Sequence, residues 1–123
     1  MIGYVTVGTN DFDEAAKFYD ALFAEMGAKR LMDFGTFVMW GVSFNVPGVC
    51  LTKPYDKKKA TIGNGTMVAL ACDSKEKVDR FYNKALALGG TDEGKPGPRG
   101  DGFYAGYWRD LDGNKFNFFY MGK

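Results

Sequence analysis

A chain of 123 residues can fill one hydrophobic core, and with 46% apolar and 25% charged residues it has the composition of a folded protein, which excludes a disordered chain. Sixteen Lys and Arg against 15 Asp and Glu leave a formal net charge of +1, too little field to recruit nucleic acid or an anionic membrane over distance. Histidine is absent, so neither a histidine-ligated metal nor a histidine acid/base is open to this chain.

Residues 2–7 form a strand-like opening segment. Phe12 to Met26 then repeats apolar residues at helical spacing, with Phe12, Ala15, Ala16, Tyr19, Leu22, Phe23 and Met26 on one face. Asp11 and Glu14 have capping-box spacing before it, and Gly27 supplies the stop. Strand-like segments follow at Lys29 to Phe34, Phe37 to Val42 and Val49 to Lys53, separated by Gly35 and by Asn45-Val46-Pro47-Gly48. The basic run Lys57-Lys58-Lys59 reads as a solvated loop. Gly63-Asn64-Gly65 lacks the Lys and Ser/Thr of a phosphate loop.

The second half begins with a strand at Met67 to Leu70. A helix over Ser74 to Leu88 is predicted from Val78, Phe81, Tyr82, Ala85 and Leu88, with Asp73 and Glu76 at capping spacing and Gly89-Gly90 as the stop. Strands are predicted at Thr91 to Glu93, Phe103 to Arg109 and Lys115 to Tyr120. The Gly- and Pro-rich stretch Gly94 to Gly102 reads as a mobile loop and candidate lid, with Arg99 at its apex. In the hairpin around Asp110-Leu111-Asp112-Gly113-Asn114, Gly113 suits the left-handed position closing a three-residue loop. That loop length sets Tyr107 opposite Asn117, with Phe103 and Ala105 on the same face, and leaves Tyr104, Trp108, Phe116 and Phe118 to pack under a helix.

The halves repeat. At an offset of 63 residues, Lys17-Phe18-Tyr19-Asp20 falls on Arg80-Phe81-Tyr82-Asn83, and the preceding strands coincide. An offset near half the chain length is the mark of an internal duplication, each copy reading β-α-β-β-β. The predicted fold is α+β: one domain over 1–123, with module one at about 1–60 and module two at about 61–123.

The paired modules, the Phe-Tyr-Asp helix and the Asp-Leu-Asp-Gly-Asn hairpin resemble the vicinal oxygen chelate superfamily, which includes glyoxalase I, extradiol dioxygenases, fosfomycin resistance proteins and bleomycin resistance proteins. The family commonly has Pro where Leu111 stands. The resemblance spans essentially the whole chain and implies curved mixed sheets that enclose a cavity. It also implies facing metal ligands, which carried over by position fall on Tyr4, Cys50, Met67 and Asn117. A phenol, a thioether and a carboxamide are poor ligands for a divalent ion, and the one thiolate that could bind it well, Cys50, does not make a site alone, so no metal and no cofactor are expected. The alternative that stays open is a metal-dependent lyase, isomerase or dioxygenase with ligands among Asp, Glu and Cys.

With no His to activate Ser43 or Ser74, hydrolysis by a serine nucleophile is not expected. Asp110 and Asp112 are explained by the turn itself. The candidate ligand-binding residues are therefore Tyr4, Trp40, Cys50, Met67, Arg99, Phe103, Tyr107 and Asn117. The two tyrosines supply hydroxyls, Trp40 a stacking surface or core filling, and Arg99 a bidentate hold on an anion. The expected partner is a small organic molecule, anionic or aromatic, either sequestered or acted on without a metal; neither nucleic acid nor a membrane is expected. A homodimer is expected from the family. The short apolar runs and the absence of CxxC spacing between Cys50 and Cys72 point to a cytoplasmic protein with reduced thiols and no export signal.

Overall fold

In the computed structural model, which describes residues 1–122, both halves of the chain run strand, helix and three strands, and the chain divides into two compact units after Gly63. The first unit holds β1 (Tyr4–Gly8), α1 (Phe12–Ala24), β2 (Lys29–Asp33), β3 (Phe37–Gly41) and β4 (Gly48–Thr52) in a four-stranded sheet of order β1-β4-β3-β2. β1 pairs with β4 in parallel and the other pairs are antiparallel. The second unit repeats this with β5 (Val68–Ala71), α2 (Lys75–Ala87), β6 (Thr91–Pro98), β7 (Phe103–Arg109) and β8 (Lys115–Met121), in the order β5-β8-β7-β6. Neither sheet closes into a barrel.

Helix α1 starts where the Asp11 carboxylate accepts the Glu14 N–H at 3.3 Å, and the chain leaves the helix through Gly27 at φ 76°. Its buried stripe, Ala15, Ala16, Phe18, Tyr19, Leu22 and Phe23, covers one face of the sheet. Trp40 lies in that layer, 5.5 Å from the Tyr19 ring and 5.9 Å from Phe23, and its indole N–H donates to Asp20 at 2.8 Å. At 2% exposure it fills the core, the second of the two roles the sequence leaves open for it. β3 alternates sides, so Trp40 falls under the helix together with Val38.

Helix α2 is capped by Ser74, whose Oγ accepts the Lys77 N–H at 3.2 Å; Asp73, expected in that role, pairs instead with the Lys77 ammonium at 3.0 Å. Under α2, Trp108 stacks on Phe116 at 4.7 Å and on Phe118 at 5.4 Å, and Phe118 meets Phe81 edge-on at 5.5 Å. The Tyr104 hydroxyl donates to Asp79 of the helix at 2.6 Å, and the Tyr82 hydroxyl donates to Asp92 of β6 at 2.6 Å.

The stretch read as a mobile loop is largely strand. β6 continues through Gly94 to Pro98 and pairs antiparallel with β7, Gly94 against Tyr107 and Gly97 against Ala105. Proline is tolerated because β6 is an edge strand, where a missing N–H need not break a ladder bond, and the glycines permit the two register shifts.

Burial, and then the Asp92 carboxylate, push the Tyr82 phenol up to about 12, while burial and then Asp73 push the Cys72 thiol up to about 11. Both groups ionise earlier in the unfolded chain, near 9.0 for the thiol and 10.0 for the phenol, so the folded state holds more protons over those windows. From neutral pH, stability should therefore be flat up to pH ~9 and fall progressively to pH ~12. Urea unfolding across that range checks this. Tyr82→Phe should flatten the decline above pH ~10, and an unchanged slope in that variant would contradict the assignment.

Candidate functional site

Directly paired residues in a ladder share a side of the sheet, so the β7–β8 register sorts the second unit's strands into two faces. Tyr104, Gly106 and Trp108 pair with Tyr120, Phe118 and Phe116 on the face under α2. Phe103, Ala105 and Tyr107 pair with Met121, Phe119 and Asn117 on the face turned away from the helix. Both the Tyr107–Asn117 pairing and this division of faces agree with the sequence expectation.

On the face away from α2, the Phe103 and Phe119 rings stack at 5.5 Å. Tyr107 carries two cations on its ring: the Arg99 guanidinium carbon at 5.5 Å and the Lys115 ammonium at 5.6 Å from its centroid. Beside Tyr107, Asn117 is 1% exposed, and its Oδ1 accepts no hydrogen bond. Such an orphaned acceptor costs about 1–3 kcal/mol until a donor reaches it. Ala69 of β5 pairs with Asn117 from the other side, so the strand there offers only a methyl group.

Arg99 is not at the tip of a free loop. Its Nη2 donates to the Lys95 carbonyl at 2.6 Å, and its Nη1 donates to the Pro98 carbonyl at 3.4 Å. The guanidinium lies close against β6, where a Cβ at Gly97 would stand 3.1 Å from Nη1. The lid expectation is corrected accordingly: the arginine is held in place over Tyr107 by a strand.

In the first unit, Thr6 of β1 pairs with Cys50, and in the second Ala69 of β5 pairs with Asn117. Thr6 and Ala69 are related by the same 63-residue offset as the helices, so Cys50 and Asn117 occupy equivalent places in their modules. Cys50 is fully buried, with its thiol pushed up by burial and partly offset by a hydrogen bond with the Thr6 hydroxyl. Tyr4 pairs with Gly48, two residues further along the same side, and is 58% exposed; Met67 precedes β5 and is 40% exposed. Of the eight candidates, Arg99, Phe103, Tyr107 and Asn117 share one face of the second sheet, Met67 lies just before β5, Tyr4 and Cys50 belong to the first unit, and Trp40 is buried under α1.

Among the described residues, no three His, Cys, Asp or Glu side chains come together as a ligand group. Of the donors at the four mapped positions, the phenol, thioether and carboxamide do not suit a divalent ion, and the one thiol that could bind it is a single ligand.

Residues 1–118 match the family model described as Glyoxalase/Bleomycin resistance protein/Dioxygenase superfamily. The chain belongs to this superfamily. A crystal structure of a glyoxalase/bleomycin resistance protein from Albidiferax ferrireducens is 34% identical, with 99% of each chain covered and a TM-score of 0.90. A hypothetical protein from S. aureus is 27% identical over 95% of this chain and 91% of that one, with a TM-score of 0.74. A fosfomycin resistance protein from Listeria monocytogenes, 18% identical over 100% of this chain and 93% of that one at a TM-score of 0.72, shares the fold. No curated protein matches the chain. The two β-α-β-β-β modules are thus those of a glyoxalase-superfamily member.

Sequence reasoning missed Lys115 and Phe119 as members of this face. Both were readable from the two-residue alternation along β8, which places Lys115 and Phe119 on either side of Asn117 on one face.

Proposed function

We propose that this superfamily member binds a small organic anion with an apolar or aromatic body on the face of the second sheet away from α2, without the family's divalent ion. It either sequesters the ligand or acts on it through Tyr107 and Arg99. The observation that carries the reading is one surface with two cations on the Tyr107 ring and an unpartnered, buried Asn117 Oδ1 in the neighbouring strand. The cations would hold the anionic group, and Asn117 would accept from a ligand N–H or O–H. The stacked Phe103 and Phe119 would meet the apolar body. An anion held by two cations beside a ring is recognised by charge and by the guanidinium fork, and an apolar wall adds area to that attraction.

The test is calorimetry with a panel of aromatic carboxylates, with and without an adjacent hydroxyl, on protein purified without chelator and assayed for metal. Binding without a metal is expected, with Arg99→Gln and Lys115→Gln each weakening it about tenfold, equivalent to ~1.4 kcal/mol. Asn117→Leu should erase the preference for the hydroxylated ligand, since one hydrogen bond to a buried acceptor separates the two. A stoichiometric divalent ion required for binding would overturn the proposal in favour of a metal-dependent glyoxalase-type enzyme. Homodimerisation and a cytoplasmic location stand as proposals beside this one, the first open to a size measurement in solution. No helix among the described residues is long and apolar enough to cross a membrane.

A further inference from the structure

A concave feature lies in the first unit, on residues that the proposed ligand face does not use. The loop after β4 and the segment leading into α1 border an open pocket of about 370 Å³. Four lysines line it, Lys53, Lys57, Lys58 and Lys59, together with Asn10 and the half-buried Phe12.

The loop has a defined shape. Asn10 brackets its far end, donating from Nδ2 to the Ala60 carbonyl at 3.1 Å and accepting the Ala60 N–H on Oδ1 at 2.7 Å. Lys57 N–H donates to the Pro54 carbonyl at 3.0 Å, closing a turn, and the Asp56 carboxylate accepts the Lys58 N–H at 2.9 Å. Lys57 itself stands at φ 65°, the only non-glycine residue in the left-handed region among the described residues. A side chain held there persists only when its surroundings enforce it.

Among the described residues, none of the four ammonium groups forms an ion pair. The nearest carboxylates in sequence are already engaged with the backbone, Asp11 capping Glu14 of the helix and Asp56 holding its turn. The helix end is therefore satisfied by its own cap, and the attraction of the pocket comes from the lysines. No carboxylate lines the pocket to offset them. A chain whose total formal charge is +1 thus concentrates four positive groups around one cavity.

We infer that this pocket binds the di- or triphosphate group of a small molecule. Four ammoniums match an anion carrying three or four negative charges in a compact volume, whereas a single carboxylate would leave most of them unmatched. Lysine meets phosphate as a point charge without demanding one geometry, which suits a flexible chain of phosphates. Phe12 on the wall offers an apolar surface to whatever the phosphates are attached to. An extended nucleic acid is the poorer fit, because the cations surround a pocket and the rest of the chain has no compensating basic surface.

The test uses the full chain and inorganic pyrophosphate or tripolyphosphate as probe, by calorimetry at low ionic strength. Wild-type binding is expected, weakened at least tenfold in the K57Q/K58Q/K59Q variant, since each neutralised contact charge is worth about fivefold in water. The control K17Q/K29Q/K84Q removes the same charge elsewhere and should bind within twofold of wild type. Should the pocket triple variant fail to fold by circular dichroism, Lys58→Gln alone should still weaken binding about fivefold. Absence of wild-type binding, equal weakening in both triple variants, or a preference for duplex DNA over tripolyphosphate would each overturn the inference. None of these outcomes bears on the carboxylate site of the second unit.

Discussion

Asp110→Ala is expected to destabilise the second unit by about 3 kcal/mol and to weaken the ligand binding proposed at Tyr107 and Asn117, although Asp110 pairs with neither of them. The carboxylate is 4% exposed and accepts three N–H groups: Asp112 N–H at 2.9 Å and Asn114 N–H at 2.8 Å on Oδ1, and the Asn114 Nδ2 at 2.9 Å on Oδ2. Removing it strands donors in a part-buried turn, and hydrogen bonds to a charged group are worth more than neutral ones. The same turn sets the β7–β8 register, closed by Asp110 N–H to the Asn114 carbonyl at 2.9 Å with Gly113 at φ 92°. If the turn loosens, Tyr107 loses its fixed place opposite Asn117, because a one-residue slip moves every side chain to the other face. Asp110→Asn keeps an oxygen for the two backbone donors and turns an amide toward Asn114, so it should lose roughly half as much. Urea unfolding and calorimetry on both variants check this; a loss under ~1 kcal/mol for the alanine variant would remove the turn from its proposed role.

Trp108→Ala should be the most damaging single truncation, at about 3–5 kcal/mol. The side chain is fully buried and stacks on two phenylalanines of β8, so its loss leaves a cavity that two flat rings cannot both fill. Trp108→Phe retains a ring and should lose about 1–3 kcal/mol, as a changed shape in a packed layer does. The near-ultraviolet circular dichroism and the unfolding midpoint report the effect, and an alanine variant as stable as the phenylalanine one would show the layer to be loosely packed. Because the affected layer lies under α2, binding at the proposed carboxylate site on the opposite face should weaken only as far as the sheet itself loosens.

The parts of the fold that sequence disclosed were those written in local patterns. Phe12 to Met26 and Ser74 to Leu88 declare helices because one turn brings positions three and four apart together, and both helices appear within a residue or two of expectation. Gly113 and its neighbours declare the hairpin, and the hairpin in turn dictates which residues of β7 and β8 share a face. β6 was misread because its Gly and Pro content is also that of a loop; only its place at the sheet's edge makes that composition compatible with a strand. At α2, two adjacent residues could each cap, and competition from the Lys77 ammonium drew Asp73 outward and left the cap to Ser74.

The candidate site was legible to a lesser degree. Asn117, Tyr107 and Phe103 followed from alternation across the hairpin, while Trp40, which alternation also placed on a strand, went to the helix side because α1 supplies Tyr19 and Phe23 to meet it. Arg99 was expected to reach out from a mobile loop, and the carbonyls of Lys95 and Pro98 hold it down instead.

By itself the sequence determined the duplication, the two β-α-β-β-β modules, the hairpin register and the absence of histidine. These depend on residue identity and on contacts between near neighbours, which a linear pattern records. Only the tertiary structure decided that Arg99 and Lys115 share the ring of Tyr107, that Asn117 is buried with an unpartnered oxygen, and that four lysines surround one pocket beside α1. Each of those is a matter of which distant strands and loops meet, and of which polar atoms find partners when they do.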